Sequence, residues 1–316
     1  MKKVIALVLA TLMILSFASC GKTPPAEDTT ASTPEVTTPE ATTPEVTTPE
    51  VTTPEATTPE VTTPEATTPE VTTPEEPEKP DPSKLPDAYA DFDFTGGTIK
   101  DIKGKVSIRN MGALVQKTNV TASGKGVSMD ALCIRESGQY VICTFDDLSS
   151  VSEMKTWAQD GFTVEAFYVM GQKGVAQGVV CGTEAKGGWG IAEDKTGKPY
   201  FITGNGNAYN AGAYAKSASS ASELVHVVGV YDFAAKEQRI YINGVLQATT
   251  PIGGDYFYGS AGSFNKFCLG GDIKATGEGG DFICSNMTMV DAKIYASALS
   301  SEQAERAYQN ALSLLQ

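Results

Sequence analysis

The sequence predicts an all-β domain, an antiparallel β-sandwich of the jelly-roll type that ends in a short helix and is preceded by a disordered stalk. Residues 87–316 contain many short runs of β-branched and aromatic residues, and turn residues bound each run. One boundary is Asn243-Gly244, the dipeptide most typical of a two-residue hairpin turn. Residues 20–86 have the opposite character, because proline recurs through most of them and apolar side chains are few.

The first 19 residues have the three parts of a signal peptide. A charged start precedes an apolar stretch from Val4 to Phe17, and Ala18-Ser19 precede Cys20. The stretch is shorter than the roughly 20 residues that a helix needs to cross a bilayer. The residues before Cys20 resemble the lipobox of bacterial lipoproteins, although Phe17 stands where leucine is commoner. We therefore expect residues 1–19 to be removed and Cys20 to carry a lipid anchor; the alternative is an ordinary secretory signal followed by a chance cysteine.

Residues 20–86 form the predicted stalk. From Thr33 to about Thr72 the sequence repeats Thr-Pro-Glu-(Val/Ala)-Thr with a period of five. Proline removes backbone donors and biases the preceding residue toward extended backbone, so we expect this segment to be extended and disordered. About 60 such residues would reach on the order of 180 Å in a polyproline-like conformation. The Thr/Pro composition is also compatible with O-glycosylation.

Negative charge is concentrated in the stalk. Residues 24–86 contain 14 acidic and 2 basic side chains, whereas residues 87–316 contain 24 acidic and 19 basic side chains. Neither part has a basic patch, which argues against nucleic-acid binding.

The folded part is predicted to contain two helices and a series of short strands. One helix is expected around residues 152–158, and a second begins after Ser300, with Glu302 and Gln303 in its first turn. The strands are expected at residues 126–134, 139–145, 162–170, 177–182, 189–192, 199–203, 224–231, 239–242, 245–249, 266–269 and 287–295.

Five segments follow the order seen in laminin-G-like, concanavalin A-like domains of bacterial surface proteins. They are residues 162–167 (FTVEAF), 224–232 (LVHVVGVYD), 240–246 (IYINGVL), 268–272 (CLGGD) and 291–302 (DAKIYASALSSE). The resemblance covers roughly Asp87 to the end and departs at Val225, where the family usually has tryptophan before the histidine. It implies a concanavalin A-like jelly roll that recognises glycans or proteins, and similar domains are attached to calcineurin-like phosphoesterases and glycosidases.

Catalytic groups are sparse in this sequence. His226 is the one histidine and lies within a strand pattern, so we expect a structural role and neither a histidine-cluster metal site nor a histidine-activated nucleophile. Retaining glycosidases need two carboxylates about 5 Å apart. The positions that share a strand face with Glu165 are Phe167 and Val169. We therefore interpret Glu165 as a framework or rim carboxylate and expect no catalytic activity.

Aromatic side chains on polar loops are the predicted ligand-binding groups. Sugar sites combine exposed aromatic rings with a few amide and carboxylate groups, although any single ring can instead belong to the core. The candidate residues are Trp189, Asn205, Asn207, Tyr209, Asn210, Tyr214, Asp255, Tyr256 and Tyr258.

Calcium is the one cofactor that the sequence allows. Asp232, Asp255, Asp272 and Asp281 lie at or near strand ends beside glycine-rich loops, where carboxylates and carbonyls can converge on a hard cation. No spacing among them matches a calcium motif. The favoured interpretation is that they are turn aspartates that stabilise loop backbone.

Five cysteines follow Cys20, and an odd number leaves at least one thiol unpaired within the chain. We interpret them as reduced core residues. They are Cys133, Cys143, Cys181, Cys268 and Cys284.

These patterns predict an extracytoplasmic lipoprotein, anchored to the membrane at the bacterial cell surface, that displays a non-catalytic binding module. The expected ligand is a carbohydrate or glycoconjugate. The alternatives are an adhesive or structural module that binds a surface protein and, less favoured, a glycoside hydrolase of jelly-roll fold.

Overall fold

The computed structural model describes residues 81, 84–182, 187–206, 208–254, 263–277 and 280–316. The signal peptide, Cys20 and the stalk up to residue 80 lie outside this part of the chain and stay predictions. The described part forms two mostly antiparallel sheets, two α-helices and a short 3-10 helix at Thr95–Gly97. None of its helices is both long enough and apolar enough to cross a membrane.

Every strand that the sequence predicted is present, and the observed bounds lie within two residues of the predicted ones. The strands in chain order are β1 (Ala90–Asp93), β2 (Lys100–Asp101), β3 (Val106–Met111), β4 (Leu114–Ala122), β5 (Lys125–Ile134), β6 (Tyr140–Phe145), β7 (Phe162–Met170), β8 (Gln177–Gly182), β9 (Trp189–Glu193), β10 (Pro199–Thr203), β11 (Ala213–Tyr214), β12 (Val225–Asp232), β13 (Glu237–Ile242), β14 (Val245–Pro251), β15 (Lys266–Leu269), β16 (Asp272–Ile273), β17 (Gly280–Asp281) and β18 (Met287–Tyr295). The sequence did not predict β1 to β4 or the two-residue strands β11, β16 and β17.

Within the described ranges, each of the two sheets has nine strands. The first sheet has the order β14-β13-β12-β7-β18-β1-β2, and β5 pairs with both β18 and β4. The second sheet has the order β11-β10-β9-β8-β15-β6-β3, with β16 beside β8 and β17 beside β16. Neighbours such as β7 and β18 are far apart in the sequence. The predicted jelly-roll sandwich is confirmed.

The inner faces of the two sheets pack on an aromatic core. The ring of Phe162 stacks on Tyr231 with 5.0 Å between the centroids. The ring of Phe201 on β10 lies directly over Gly229 on β12, where an added Cβ would be only 2.2 Å from a ring carbon. Glycine is therefore required at position 229 for β12 and β10 to approach each other.

Both α-helices begin in a capping box, in which a serine and the residue three positions later satisfy each other's backbone donors. Helix α1 spans Val151–Gln159 and helix α2 spans Ser301–Ser313. The predicted start after Ser300 is confirmed, and its partner in the cap is Gln303.

Helix α2 covers the outer face of the first sheet. Its Ala304 packs with Val228 and Tyr295, and its Ala311 packs with Phe167. Alternate residues of β7 and β12 point into the sandwich instead. The small side chains of the helix let it lie close to the strands.

The predicted Asn-Gly hairpin joins β13 to β14. Asn243 and Gly244 have φ angles of 49° and 76°, as the central positions of a type I′ turn require. Asn243 Oδ1 also accepts a hydrogen bond from His226 N at 2.9 Å. The turn is thereby fixed to the neighbouring strand β12.

Candidate functional site

Two of the aromatic side chains that the sequence predicted to be exposed lie on β11 and on the loop before it, at one edge of the second sheet. Tyr214 on the edge strand β11 pairs in register with Tyr200 on β10. Their rings stack with centroids 5.0 Å apart and planes inclined by 24°. Tyr200 is buried, whereas 45% of Tyr214 is exposed. Tyr200 thus holds the ring of Tyr214 as a fixed, half-exposed platform.

Tyr209 presents a second ring from the loop that joins β10 to β11. In this loop Tyr209 forms an isolated antiparallel β-bridge with Gly204. Asn205 N donates a hydrogen bond to Ala208 O at 3.0 Å. The side chain of Tyr209 is 47% exposed. The structure therefore agrees with exposure of both tyrosines.

The amide side chains of Asn205 and Asn210 hold this loop in place. Asn205 Nδ2 donates to Gly253 O at 2.9 Å, and its Oδ1 accepts from Ala208 N at 2.9 Å. Asn210 Nδ2 donates to Thr203 Oγ1 at 2.9 Å, and its Oδ1 accepts from Gly253 N at 2.8 Å. These contacts tie the loop to the segment after β14, so both asparagines position the tyrosines.

The buried side chain of Gln238 holds the two ends of this loop through hydrogen bonds. Gln238 on β13 accepts from Thr203 Oγ1 at 2.8 Å and donates through Nε2 to Ala211 O at 2.6 Å. Thr250 Oγ1 donates to the same carbonyl at 2.7 Å. No local sequence pattern predicts these supporting residues, because their partners lie on other strands.

The prediction that Trp189 is an exposed platform is wrong. Its side chain is only 1% exposed, and its ring lies 5.5 Å from Phe267 and 5.9 Å from Phe162. The strand predicted at residues 189–192 is present as β9, which pairs with β8 and β10 on either side. Position 189 therefore faces the core.

Four further candidates for ligand binding lie outside the described residues and stay predictions. They are Asn207, Asp255, Tyr256 and Tyr258.

The candidate calcium ligand Asp232 belongs to a turn and an ion pair. Its Oδ1 accepts from Ala235 N at 2.9 Å, and its Oδ2 lies 3.1 Å from Arg239 Nη2. A carboxylate engaged by a guanidinium and a turn amide is a structural aspartate. The favoured interpretation of this residue agrees with the structure.

Two of the remaining calcium candidates lie on paired strands of the second sheet. Asp272 is buried and pairs in register with Asp281 across β16 and β17. Asp255 lies outside the described residues. In the described part of the chain, no three His, Cys, Asp or Glu side chains are grouped so as to hold a metal ion. Calcium binding stays a prediction.

All five cysteines after Cys20 are buried, and none forms a disulfide in the structure. Burial raises the pKa of the Cys143 and Cys284 thiols well above the usual value. These thiols are therefore unreactive core groups.

A buried ionisable network lies on the outer face of the first sheet. Glu165 Oε1 is 2.9 Å from His226 Nε2, and Glu165 Oε2 accepts from Tyr295 OH at 2.7 Å. Burial alone would raise the pKa of Glu165, but the hydrogen bond and charge of His226, with Lys293 and Tyr295, lower it to about 2. His226 and Glu165 are both buried, which supports their interpretation as framework residues.

Asp291 on β18 adds a second carboxylate to this network. It is buried and forms an ion pair with Lys293. Burial nevertheless raises the pKa of Asp291 to about 6. The prediction from the sequence compared Glu165 only with positions on its own strand. It therefore did not include Asp291, which lies on the neighbouring strand β18. Because Glu165 and Asp291 are buried and paired with basic side chains, they do not face a substrate cleft.

The comparison with protein families agrees with this architecture. The family model of the concanavalin A-like lectin/glucanases superfamily, of the laminin-G type, matches residues 144–305, from β6 to α2. The chain belongs to this family. No curated protein matches the chain at a significant level.

Solved structures of similar fold include binding domains of botulinum neurotoxins. The serotype D binding domain has a TM-score of 0.51 and 14% identity, covering 71% of this chain and 51% of that one. The serotype D ligand-binding domain in complex with N-acetylneuraminic acid has a TM-score of 0.52, 14% identity and coverages of 71% and 50%. The serotype DC binding domain in complex with rat synaptotagmin II has a TM-score of 0.50, 15% identity and coverages of 72% and 52%. This chain spans about half the length of those structures, and the likeness shows a shared fold alone.

Proposed function

We propose that this protein is a cell-surface lipoprotein that displays a non-catalytic binding module, and that the ligand is a carbohydrate or glycoconjugate. The observation that carries the proposal is the half-exposed ring of Tyr214 stacked on buried Tyr200, with exposed Tyr209 on the adjoining loop. Aromatic rings offer a large apolar face to a ligand. A ring that is already fixed loses little conformational entropy when a sugar packs on it.

The known partners of the fold support a binding role. One botulinum neurotoxin domain of this fold is in complex with N-acetylneuraminic acid, and another is in complex with a protein, rat synaptotagmin II. The family includes both lectins and glucanases. The choice of a glycan for this chain therefore depends on its own aromatic edge.

The buried position of the carboxylates favours binding over catalysis. A glycosidase needs an acid and a second carboxylate on either side of the scissile bond. Glu165 and Asp291 lie on the neighbouring strands β7 and β18, but neither is open to a substrate. The rings of Tyr209 and Tyr214 are open to solvent, whereas these acids are enclosed.

Display at the surface depends on the predicted anchor and stalk. To test the anchor, cells that express either the wild-type chain or a Cys20→Ala variant are grown with a fatty acid that carries a clickable tag. Labelling of the two proteins is then compared. Tag on the wild type and its absence from the variant are expected. Equal labelling of both would refute lipidation at Cys20.

The binding proposal is tested with a glycan array probed with the purified full-length protein, with and without calcium. We expect selective binding that Tyr209→Ala and Tyr214→Ala each weaken, and that Val175→Ala, another exposed apolar position, leaves unchanged. A folded wild-type protein that binds no glycan would overturn the proposal. Loss of binding on calcium removal would support the predicted calcium site.

A further inference from the structure

A second candidate surface lies between the β13–β14 hairpin and helix α2. These elements enclose an open groove of about 410 Å³, which falls within the range of roughly 300–1,000 Å³ that ligand pockets occupy. Val245 and Leu246 line it from the hairpin wall, and Glu302, Glu305 and Tyr308 line it from the helix wall. We refer to it as the hairpin–helix groove.

The hairpin wall of the groove is apolar and exposed. Val245 is 62% exposed and Leu246 is 40% exposed, although both belong to a strand. Exposed aliphatic side chains along a groove offer apolar surface that a partner can cover.

The helix wall of the groove is acidic. Glu302 and Glu305 are three residues apart and so lie on the same side of α2. Glu302 accepts a hydrogen bond from Ser300 Oγ at 2.9 Å. Among the described residues, no basic side chain forms an ion pair with Glu302 or Glu305. This includes the exposed Arg306, which lies near both carboxylates. Both negative charges are therefore available to a partner.

The two walls are fixed relative to each other. At Gly244 an added Cβ would lie 3.2 Å from the Cα of Glu305, so the turn and the helix backbone are in close contact. Tyr241 OH lies 3.2 Å from Ser301 Oγ. The groove is thus formed before any ligand arrives, which reduces the entropy cost of binding.

We propose that the hairpin–helix groove docks a segment of a partner protein that combines lysine or arginine with aliphatic side chains. The methylene stem of such a residue covers apolar surface while its charged end reaches a carboxylate. The wall of Val245 and Leu246 matches the stem, and Glu302 and Glu305 match the charge. The protein's own stalk does not fit, because residues 24–86 hold 14 acidic and 2 basic side chains and would be repelled. This surface is independent of the proposed glycan site.

The probe is a fluorescent peptide of alternating lysine and leucine, titrated with the purified full-length protein and followed by anisotropy. Peptides of alternating lysine and serine, and of alternating glutamate and leucine, test the two walls separately. We expect the lysine-leucine peptide to bind most tightly and its affinity to fall with added salt. Equal binding of all three peptides, or no binding of the first, would contradict the proposal.

Paired variants separate docking from general attraction to an acidic protein. The double variants Glu302→Gln/Glu305→Gln and Val245→Ser/Leu246→Ser should each raise the Kd of the lysine-leucine peptide about tenfold. Control variants make the same kind of change at exposed positions elsewhere, and they should leave the Kd unchanged. The controls are Glu136→Gln/Asp146→Asn and Ile102→Ser/Leu114→Ser. Equal effects of groove and control variants would overturn the proposal. Unchanged thermal unfolding of each variant, checked by circular dichroism, confirms that the fold is intact.

Discussion

The outer face of the first sheet is closed by a helix, whereas the outer edge of the second sheet is open to solvent. Helix α2 packs on the outer face of the first sheet, where buried carboxylates pair with basic side chains, Glu165 with His226 and Asp291 with Lys293. The edge of the second sheet carries Tyr214 stacked on Tyr200, and this ring is left half exposed. Polar groups on the closed face therefore serve stability, whereas apolar groups on the open edge are available for a ligand. Substitutions on the two faces should separate stability from binding.

The largest effect is expected on the closed face, from His226→Leu. This change removes the hydrogen-bonding partner of Glu165 Oε1 and leaves that carboxylate oxygen buried without the imidazole. Breaking a buried pair in this way typically costs about 3–5 kcal/mol of the free energy of unfolding, which urea denaturation would measure. Glycan binding by the remaining folded protein should be unchanged. A loss below about 1 kcal/mol would show that the pair does not stabilise the fold.

The same network predicts an unusual pH dependence of stability. The pKa of Asp291 is raised to about 6 in the folded state from 3.8, so its protonation stabilises the fold as the pH falls from 7 through 6. The pKa of Glu165 is lowered to about 2 from 4.5, so the stability that it contributes is lost as the pH falls below 4.5. Stability should therefore be greatest between these limits, with a rise from pH 7 on the order of 2 kcal/mol.

Asp291→Asn tests which group causes the rise. Urea midpoints measured from pH 3 to pH 8 should lose the increase between pH 7 and pH 5 in this variant and keep the decline at lower pH. A variant with the same profile as the wild type would assign the rise to another group.

An intermediate effect is expected from Asn210→Ala in the loop behind the tyrosines. The amide of Asn210 bonds to Thr203 Oγ1 and Gly253 N, and its loss should cost about 1–2 kcal/mol. It should also weaken glycan binding, because the loop that carries Tyr209 is no longer fixed. Asn119→Ala, at an exposed position on β4, is the matched control and should change neither quantity.

The smallest effect on stability is expected from Tyr214→Ala. The ring is half exposed and contacts Tyr200 from the edge strand, so its removal should cost about 1 kcal/mol, the value of one aromatic pair. Thermal unfolding should detect only a small shift. A loss as large as that of His226→Leu would mean that Tyr214 is a core residue and not a platform.

Most of the fold could be predicted because its central strands carry a strong local pattern. The runs at Phe162–Met170 and Met287–Tyr295 are buried along almost their whole length and were predicted with exact bounds. Strands β3 and β4 were missed because they are largely exposed and rich in polar residues. They form strands through pairing with β6 and β5, which local sequence does not encode.

The candidate site could be predicted only for side chains whose solvent exposure follows from the polar residues around them in the sequence. Tyr209 and Tyr214 lie in polar surroundings and are exposed as expected. Trp189 was misassigned because the strand predicted at residues 189–192 does not by itself show that position 189 faces the core. The roles of Tyr200 and Asp291 depend on residues opposite them on other strands, and cross-strand register is not visible in one sequence.

The most direct test of the central claim compares wild type, Tyr214→Phe and Tyr214→Ala on one glycan array, each shown to be folded. Tyr214→Phe keeps the ring that stacks on Tyr200, whereas Tyr214→Ala removes it. We expect a selective glycan signal that the phenylalanine variant largely retains and the alanine variant loses. Equal signals from all three proteins would contradict the assignment of the ligand to this aromatic edge.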